Sequence, residues 1–265
     1  MNTAAYAPGK TDLKNRIDNI SQQKIARVAG LLYLIIIIAG IFAEFFARQS
    51  LIVPGDAAAT ASNIMASEML FRAGIAADLV MIIADVALAL AFYVLFRPVS
   101  NTLALLAAFF RLAQAVVLGI NLLNLFFVLE LLSGAEYLTV IGADQLQALS
   151  VLFLKAHSIG YTIGLVFFGI NLFILGYLVF KSGYVPKILG ILLIGASLGY
   201  LIDTFAKALL PNYGAYQAVF DLVVFGPAFI AELSLCLWLL VKGVNVPQRD
   251  NSVSLNNIQA EGSAP

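Results

Sequence analysis

Residues 68–96 read EMLFRAGIAADLVMIIADVALALAFYVLF. Between Arg72 and Arg97 the only charges are Asp78 and Asp85; every other residue there is aliphatic, aromatic, methionine or glycine. Crossing a bilayer takes about 20 apolar residues at a helical rise of about 1.5 Å each. This stretch is long enough, has no internal turn signal, and stops at Arg97-Pro98. It reads as a transmembrane helix. Its two aspartates then sit in hydrocarbon, where a lone charge costs at least about 3 kcal/mol. They demand partners, and the partners must come from other helices.

Working outward, five more runs qualify: Ala26–Arg48, Thr102–Leu132, Gln147–Phe180, Lys187–Leu210 and Tyr216–Val241. The third and fourth helices exceed the minimum length and are expected to tilt or project. Ser133-Gly134, Ser182-Gly183, Pro186 and Pro211-Asn212 separate the runs. After Pro54-Gly55, Asp56 is placed to cap a short surface helix over Ala57–Ser67. The fold class is therefore an all-α polytopic membrane protein, a six-transmembrane-helix bundle. It comprises an N-terminal tail (1–25), a six-helix domain (26–244) and a polar, disordered C-terminal tail (245–265). Composition agrees: 62% of the 265 residues are hydrophobic and 11% charged, with mean hydropathy +0.96. Soluble domains carry about a quarter charged residues.

The short loops set the orientation. Lys10, Lys14, Arg16, Lys24, Arg27, Arg97, Lys181, Lys187, Lys242 and Arg249 all fall on the side of the termini. Leu51–Ser67, Ser133–Leu146 and Pro211–Ala215 contain no Lys or Arg. Both termini are expected in the cytoplasm, in a multi-pass protein of the cytoplasmic membrane. The first helix reads as an uncleaved signal anchor. Leu13, Ile17 and Ile20 form a short apolar stripe suited to docking on the inner leaflet. Lys+Arg and Asp+Glu balance at 15 each, without the clustered positive excess of a nucleic-acid binder. Membrane lipids are the expected partners; the sequence specifies no oligomeric state.

Intramembrane polarity carries the functional reading. Toward the outer side lie Glu44, Arg48, Arg72, Asp78, Asn121, Asn124, His157, Tyr161, Asp203, Lys207 and Asp221. Asp85, Arg111, Gln114 and Glu232 lie deeper, toward the inner half. Asp85 and Arg111 fall about 16 and about 14 Å from their inner helix ends, level enough to pair. Arg111, Gln114, Leu118, Asn121 and Asn124 share one helix face; His157, Tyr161, Gly164, Phe168 and Asn171 share another. Polar faces should turn away from lipid, which predicts a polar interior opening outward. The outer pairs suit helix register equally well. The deep set contains two carboxyls for one cation, so the surplus acid must be protonated, hydrated or bound.

The first and second helices also resemble the fifth and sixth. Glu44-Phe45-Phe46-Ala47-Arg48 parallels Asp203-Thr204-Phe205-Ala206-Lys207, and Ala84-Asp85-Val86-Ala87-Leu88 parallels Ala231-Glu232-Leu233-Ser234-Leu235. Chance likeness between apolar helices explains this as well as duplication does. In the sixth helix Pro227 lacks the N–H that would bond Val223 and should bend the chain.

Other chemistries lack their residues. His157 is the only histidine and Cys236 the only cysteine, so no His-rich metal site forms within one chain. No nucleophile elbow, phosphate loop or dinucleotide fingerprint occurs. No catalytic residue, metal or cofactor is assigned.

From about Ala26 to Val244 the chain resembles a bacterial multi-pass membrane family known as domain of unknown function 4386. The resemblance rests on Arg27-Val28-Ala29-Gly30-Leu31-Leu32-Tyr33, Pro54-Gly55-Asp56-Ala57-Ala58-Ala59-Thr60, Leu103–Arg111, Leu165-Val166-Phe167-Phe168-Gly169 and Ser182-Gly183-Tyr184-Val185-Pro186. It implies a bacterial-type membrane and transfers no activity.

The leading expectation is a non-enzymatic protein that binds a small molecule, lipid or ion in a polar intramembrane cavity, as a transporter or sensor. Its candidate ligand residues are Asp85, Arg111, Gln114, Glu232, Glu44, Asp78, His157, Tyr161 and Asp203. The alternatives are a membrane-embedded enzyme acting on a lipid-like substrate with His157 and nearby carboxylates, and a scaffold or accessory subunit.

Overall fold

A computed structural model gives residues 10–244, with side chains from Ser21 onward. The expected tail 245–265 and the side chains of Leu13, Ile17 and Ile20 lie outside the described residues. Among the described residues, six helices are long and apolar enough to cross a membrane: Ser21–Leu51, Glu68–Phe96, Asn101–Leu131, Ala143–Ser182, Lys187–Leu209 and Gln217–Val241. We call them the first to sixth spans. The described residues contain no strand.

Local chemistry sets the boundaries. The Asp56 carboxylate accepts from the Ala59 N–H at 2.8 Å and starts the short helix Ala57–Ala66. Gly55 makes the preceding turn with φ +83°, a conformation other residues resist. The Thr60 hydroxyl accepts from the Val53 N–H at 3.0 Å and donates back to Asp56 O at 2.8 Å, so the Pro-Gly-Asp stretch is a closed loop-to-helix device. The Ser100 hydroxyl caps the third span by accepting from Leu103 N–H at 3.4 Å. Gly183 ends the fourth span in the left-handed conformation (φ +74°). The next residue, Tyr184, donates its hydroxyl to Leu95 O at 2.6 Å, satisfying a carbonyl at the end of the second span. Burial raises the Tyr184 phenol above the usual tyrosine range, which keeps it a donor.

Each span packs along the next in chain order, and the sixth closes on the first, giving a ring of six helices. Both described ends meet on one face: Gln23 Nε2 donates to Lys242 O at 3.2 Å, and Val244 N–H donates to Gln23 Oε1 at 2.7 Å. The fourth and fifth spans make the closest crossing. A Cβ on Gly190 would stand 2.6 Å from Gly176 O, so only paired glycines allow it. The outward faces carry exposed Ile83, Leu90, Ile120, Ile202 and Leu222, an apolar surface suited to lipid and not to water.

Two spans depart from regular α geometry. Asp221–Phe225 is a π-helical turn directly before Gly226-Pro227, where the proline supplies no N–H to Val223 and the backbone widens instead. Phe42–Arg48 in the first span is also π-helical, without a proline or glycine to cause it. The third span is interrupted at Leu122, between Asn101–Asn121 and Leu123–Leu131.

Candidate functional site

At the centre of the ring all six spans send a side chain to one point. Arg111 of the third span is the hub, and its side chain is 1% exposed. Its Nη2 lies 2.5 Å from Asp85 Oδ1 of the second span, itself buried. Its Nη1 donates to Asn171 Oδ1 of the fourth span at 3.4 Å, and Asn171 Nδ2 is anchored on Ala107 O at 2.7 Å. Three aromatic rings surround the guanidinium carbon: Tyr33 at 5.5 Å, Phe168 at 5.6 Å and Phe92 at 5.9 Å. These are cation–π distances, and each ring supplies its negative face to a desolvated cation.

Glu232 of the sixth span completes the hub. Both of its oxygens are accounted for: Tyr33 donates to Oε2 and Tyr200 of the fifth span donates to Oε1, each at 2.9 Å. Asp85 therefore has the cation, whereas Glu232 has two neutral phenols. Apart from Arg111 Nη2 and Asp85 Oδ1, which face each other as an ion pair, Arg111 Nε and Gln114 Oε1 are buried in this layer without a hydrogen-bond partner among the described residues. Gln114 is 6% exposed. Beside Arg111, a crevice with room for about one water runs between the second, third and fourth spans. Its walls include Ala89, Phe96, Ala104, Ala107 and Asn171.

Nearer the other face lies a second network. Arg48, turned inward on the π-helical segment, pairs with Asp78 of the second span and with Glu44 at 2.9 Å. Asp78 is buried, whereas Glu44 is half exposed. Across the ring, Asn121 Nδ2 donates to His157 O at 2.9 Å and sits 3.0 Å from His157 Nδ1. Asn124 Nδ2 donates to Asn121 O at 3.1 Å, occupying a carbonyl at the break in the third span. Tyr161 packs on an apolar cluster of Ala39, Met81 and Leu118.

Asp203 belongs to a third group. It takes Lys207 at 2.8 Å and the Tyr213 hydroxyl at 2.6 Å. Burial and the bond to Asp203 raise the Tyr213 phenol above its ordinary range.

The candidate residues thus divide. Asp85, Arg111, Gln114 and Glu232 converge on one layer. Glu44 and Asp78 meet through Arg48, and His157 binds Asn121. Asp203 is engaged within its own hairpin and the loop after it. The space beside the hub lies toward the termini, whereas the polar stripes predict an outward opening. The reason is that the outer-side polar groups, Arg48, Asp78, Asn121 and His157, are spent on one another and are buried. Tyr33, Tyr200 and Phe92 are hub residues that the sequence reading omits. A phenol in mid-span is the available signal, because its O–H needs a partner when buried.

The two hairpins that resemble each other pair differently. Arg48 crosses to Asp78, but Lys207 stays with Asp203. Asp85 and Glu232, the matched acids, do meet at the same hub. Among the described residues no group of three or more His, Cys, Asp or Glu side chains converges as a metal ligand set.

Comparison with known proteins places this ring in a family without assigning it a chemistry. A relative from Archaeoglobus fulgidus described as an uncharacterized protein is 33% identical over 162 residues, covering 61% of this chain and 78% of its own. No solved structure matches the chain. A family model described as Domain of unknown function (DUF4386) matches residues 28–243, a range that touches all six spans and the whole hub. The chain is a multi-pass membrane protein that belongs to this family.

Proposed function

We propose that the protein binds a small polar molecule or ion inside the membrane, at the Arg111 hub, as a non-enzymatic transporter or sensor. One observation carries this reading. Six helices converge on a layer where Arg111 Nε and Gln114 Oε1 are buried without partners. A hub that served only to hold helices together would satisfy its polar atoms, since each orphan in hydrocarbon costs several kcal/mol. Donors and acceptors left open at the point of convergence fit a site that meets a guest. The excess of basic residues at the face of the termini supports a cytoplasmic location for both ends and the cytoplasmic membrane as the host.

The enzymatic alternative draws less support. The His157 ring is engaged by Asn121, and the partners of Asp78 and Asp203 are Arg48, Lys207 and Tyr213. A general base needs a reactive group within hydrogen-bond reach and a second group to orient it.

The test is thermal unfolding of the purified full chain in detergent, scanned against pH and against sodium, potassium and choline chloride. Wild type is expected to shift its midpoint with pH or with one cation. Asp85→Asn and Glu232→Gln are each expected to alter that response. A wild-type midpoint indifferent to all conditions, or a response untouched by both variants, contradicts the proposal.

A further inference from the structure

The crevice beside Arg111 lies between the hub and the face that holds the termini. Ala89 and Phe96 are on the last turns of the second span, Ala104 and Ala107 on the first turns of the third. We propose that this crevice is the route by which the hub exchanges a single proton with the side of the termini. The inference rests on the reading of the hub as a ligand site and names the ligand.

The first argument is a charge count. The hub holds two carboxyls, Asp85 and Glu232, against the guanidinium of Arg111. Asp85 takes that cation at 2.5 Å. Glu232 takes only the hydroxyls of Tyr33 and Tyr200. With both acids ionised the layer carries one uncompensated negative charge in low dielectric. One proton on a carboxylate oxygen removes it, and loss of that proton restores it. The groups facing Glu232 are Tyr33 from the first span and Tyr200 from the fifth, with Arg111 and Asp85 in electrostatic reach.

The second argument is access. Arg111 is both the hub cation and part of the crevice wall, and its Nε is a buried donor without a partner among the described residues. The space is the size of a water, and Arg111 and Asn171 are its polar wall. Alanines at 89, 104 and 107 keep the gap open where larger side chains would close it. At its end toward the termini, buried Phe96 stacks on Tyr184 at 6.0 Å, and the Tyr184 hydroxyl donates to Leu95 O. Tyr33 links the crevice-wall guanidinium to Glu232: its ring lies against Arg111 and its O–H is on Glu232. A proton delivered as hydronium forms one O–H bond at a carboxylate and leaves as hydronium by the same path.

The experiment is infrared spectroscopy of the full chain in liposomes, titrated from about pH 4 to about pH 9, a range that brackets carboxyls shifted by burial. Isotopically labelled glutamate or aspartate, supplied separately, assigns the carbonyl stretch of a protonated carboxyl in the unaltered protein. The expected result is one titrating carboxyl band whose deuterium exchange slows about tenfold in Ala107→Leu, the factor given by about 1.4 kcal/mol of added barrier. Ala89→Leu, from the opposite wall, is expected to do the same, and lipid-facing Ala87→Leu to do nothing. Ala107→Leu and Ala89→Leu are compared only as monodisperse preparations, and a wild-type protein without a titrating band overturns the proposal whatever the variants do. A band that titrates but exchanges at the wild-type rate in both wall variants overturns the route and leaves the hub as a ligand site. A wild type with no such band overturns the proton, while a cation-dependent unfolding midpoint would still stand for the broader reading.

Discussion

At the scale of the residue, the hub is a set of mutual obligations. Tyr33 and Tyr200 each give one hydrogen bond to Glu232, and Tyr33 also presents its ring to Arg111. Tyr33→Phe keeps the ring and removes the donor. It is expected to lower stability by about 1–3 kcal/mol, the cost of leaving a buried acceptor unpaired. Above the pH at which the hub gives up its proton, the same change in a Glu232→Gln background is expected to cost less, because no charge is left there to need the donor. Reversible unfolding of the four proteins in mixed detergent and denaturant measures both numbers. Equal costs in the two backgrounds would show that Tyr33 and Glu232 do not interact. Asp85, Arg111, Gln114 and Glu232 are legible in the sequence because charge and amide are conspicuous inside apolar runs. Phe92 is not, because an aromatic ring among leucines reads as lipid-facing or packed without distinction, and Tyr33 differs from it only by the hydroxyl that needs a partner. Asp203 shows the converse: its depth suggested the interior, but Lys207 one turn away and Tyr213 in the next loop meet its needs locally.

At the scale of the element, helix ends follow from residues whose backbone chemistry is unambiguous: Asp56, Ser100, Gly183 and Pro186. The irregular turns are less readable. Pro227 announces the distortion before it, since a missing N–H has a fixed position. The π-helical Phe42–Arg48 has no such marker, although it turns Arg48 toward Asp78. The break at Leu122 is hidden because Asn121 and Asn124 satisfy it with side chains instead of a turn residue. Glycines need the same care. Gly190 sits against Gly176 O and the Phe180 backbone, whereas Gly195, five residues on, faces open space. Gly190→Leu is expected to destabilise by more than the about 1–3 kcal/mol of ordinary overpacking, because backbone cannot yield. Gly195→Leu is expected to change little. A monodisperse, wild-type-like Gly190→Leu protein would disprove the close crossing of the fourth and fifth spans.

At the scale of the whole molecule, hydropathy alone gives six crossings, since each needs only length and apolarity. Ring closure is different information. Nothing in the sequence of the first span says that the sixth will lie against it; that contact depends on Gly30 admitting Leu240 and Cys236. Closure is what brings Glu232 to the layer of Asp85 and Arg111, and so turns three isolated charges into one site. Low dielectric makes their interaction strong and makes each partner costly to leave alone. The most direct test is a double-mutant cycle on Asp85 and Arg111, read by reversible unfolding of the full chain. Asp85→Asn and Arg111→Gln should each cost on the order of 3 kcal/mol, and the double variant clearly less than their sum, because neither charge is then left unpaired. Strict additivity would mean that the two side chains do not meet, and the hub, with every role assigned to it, would be wrong.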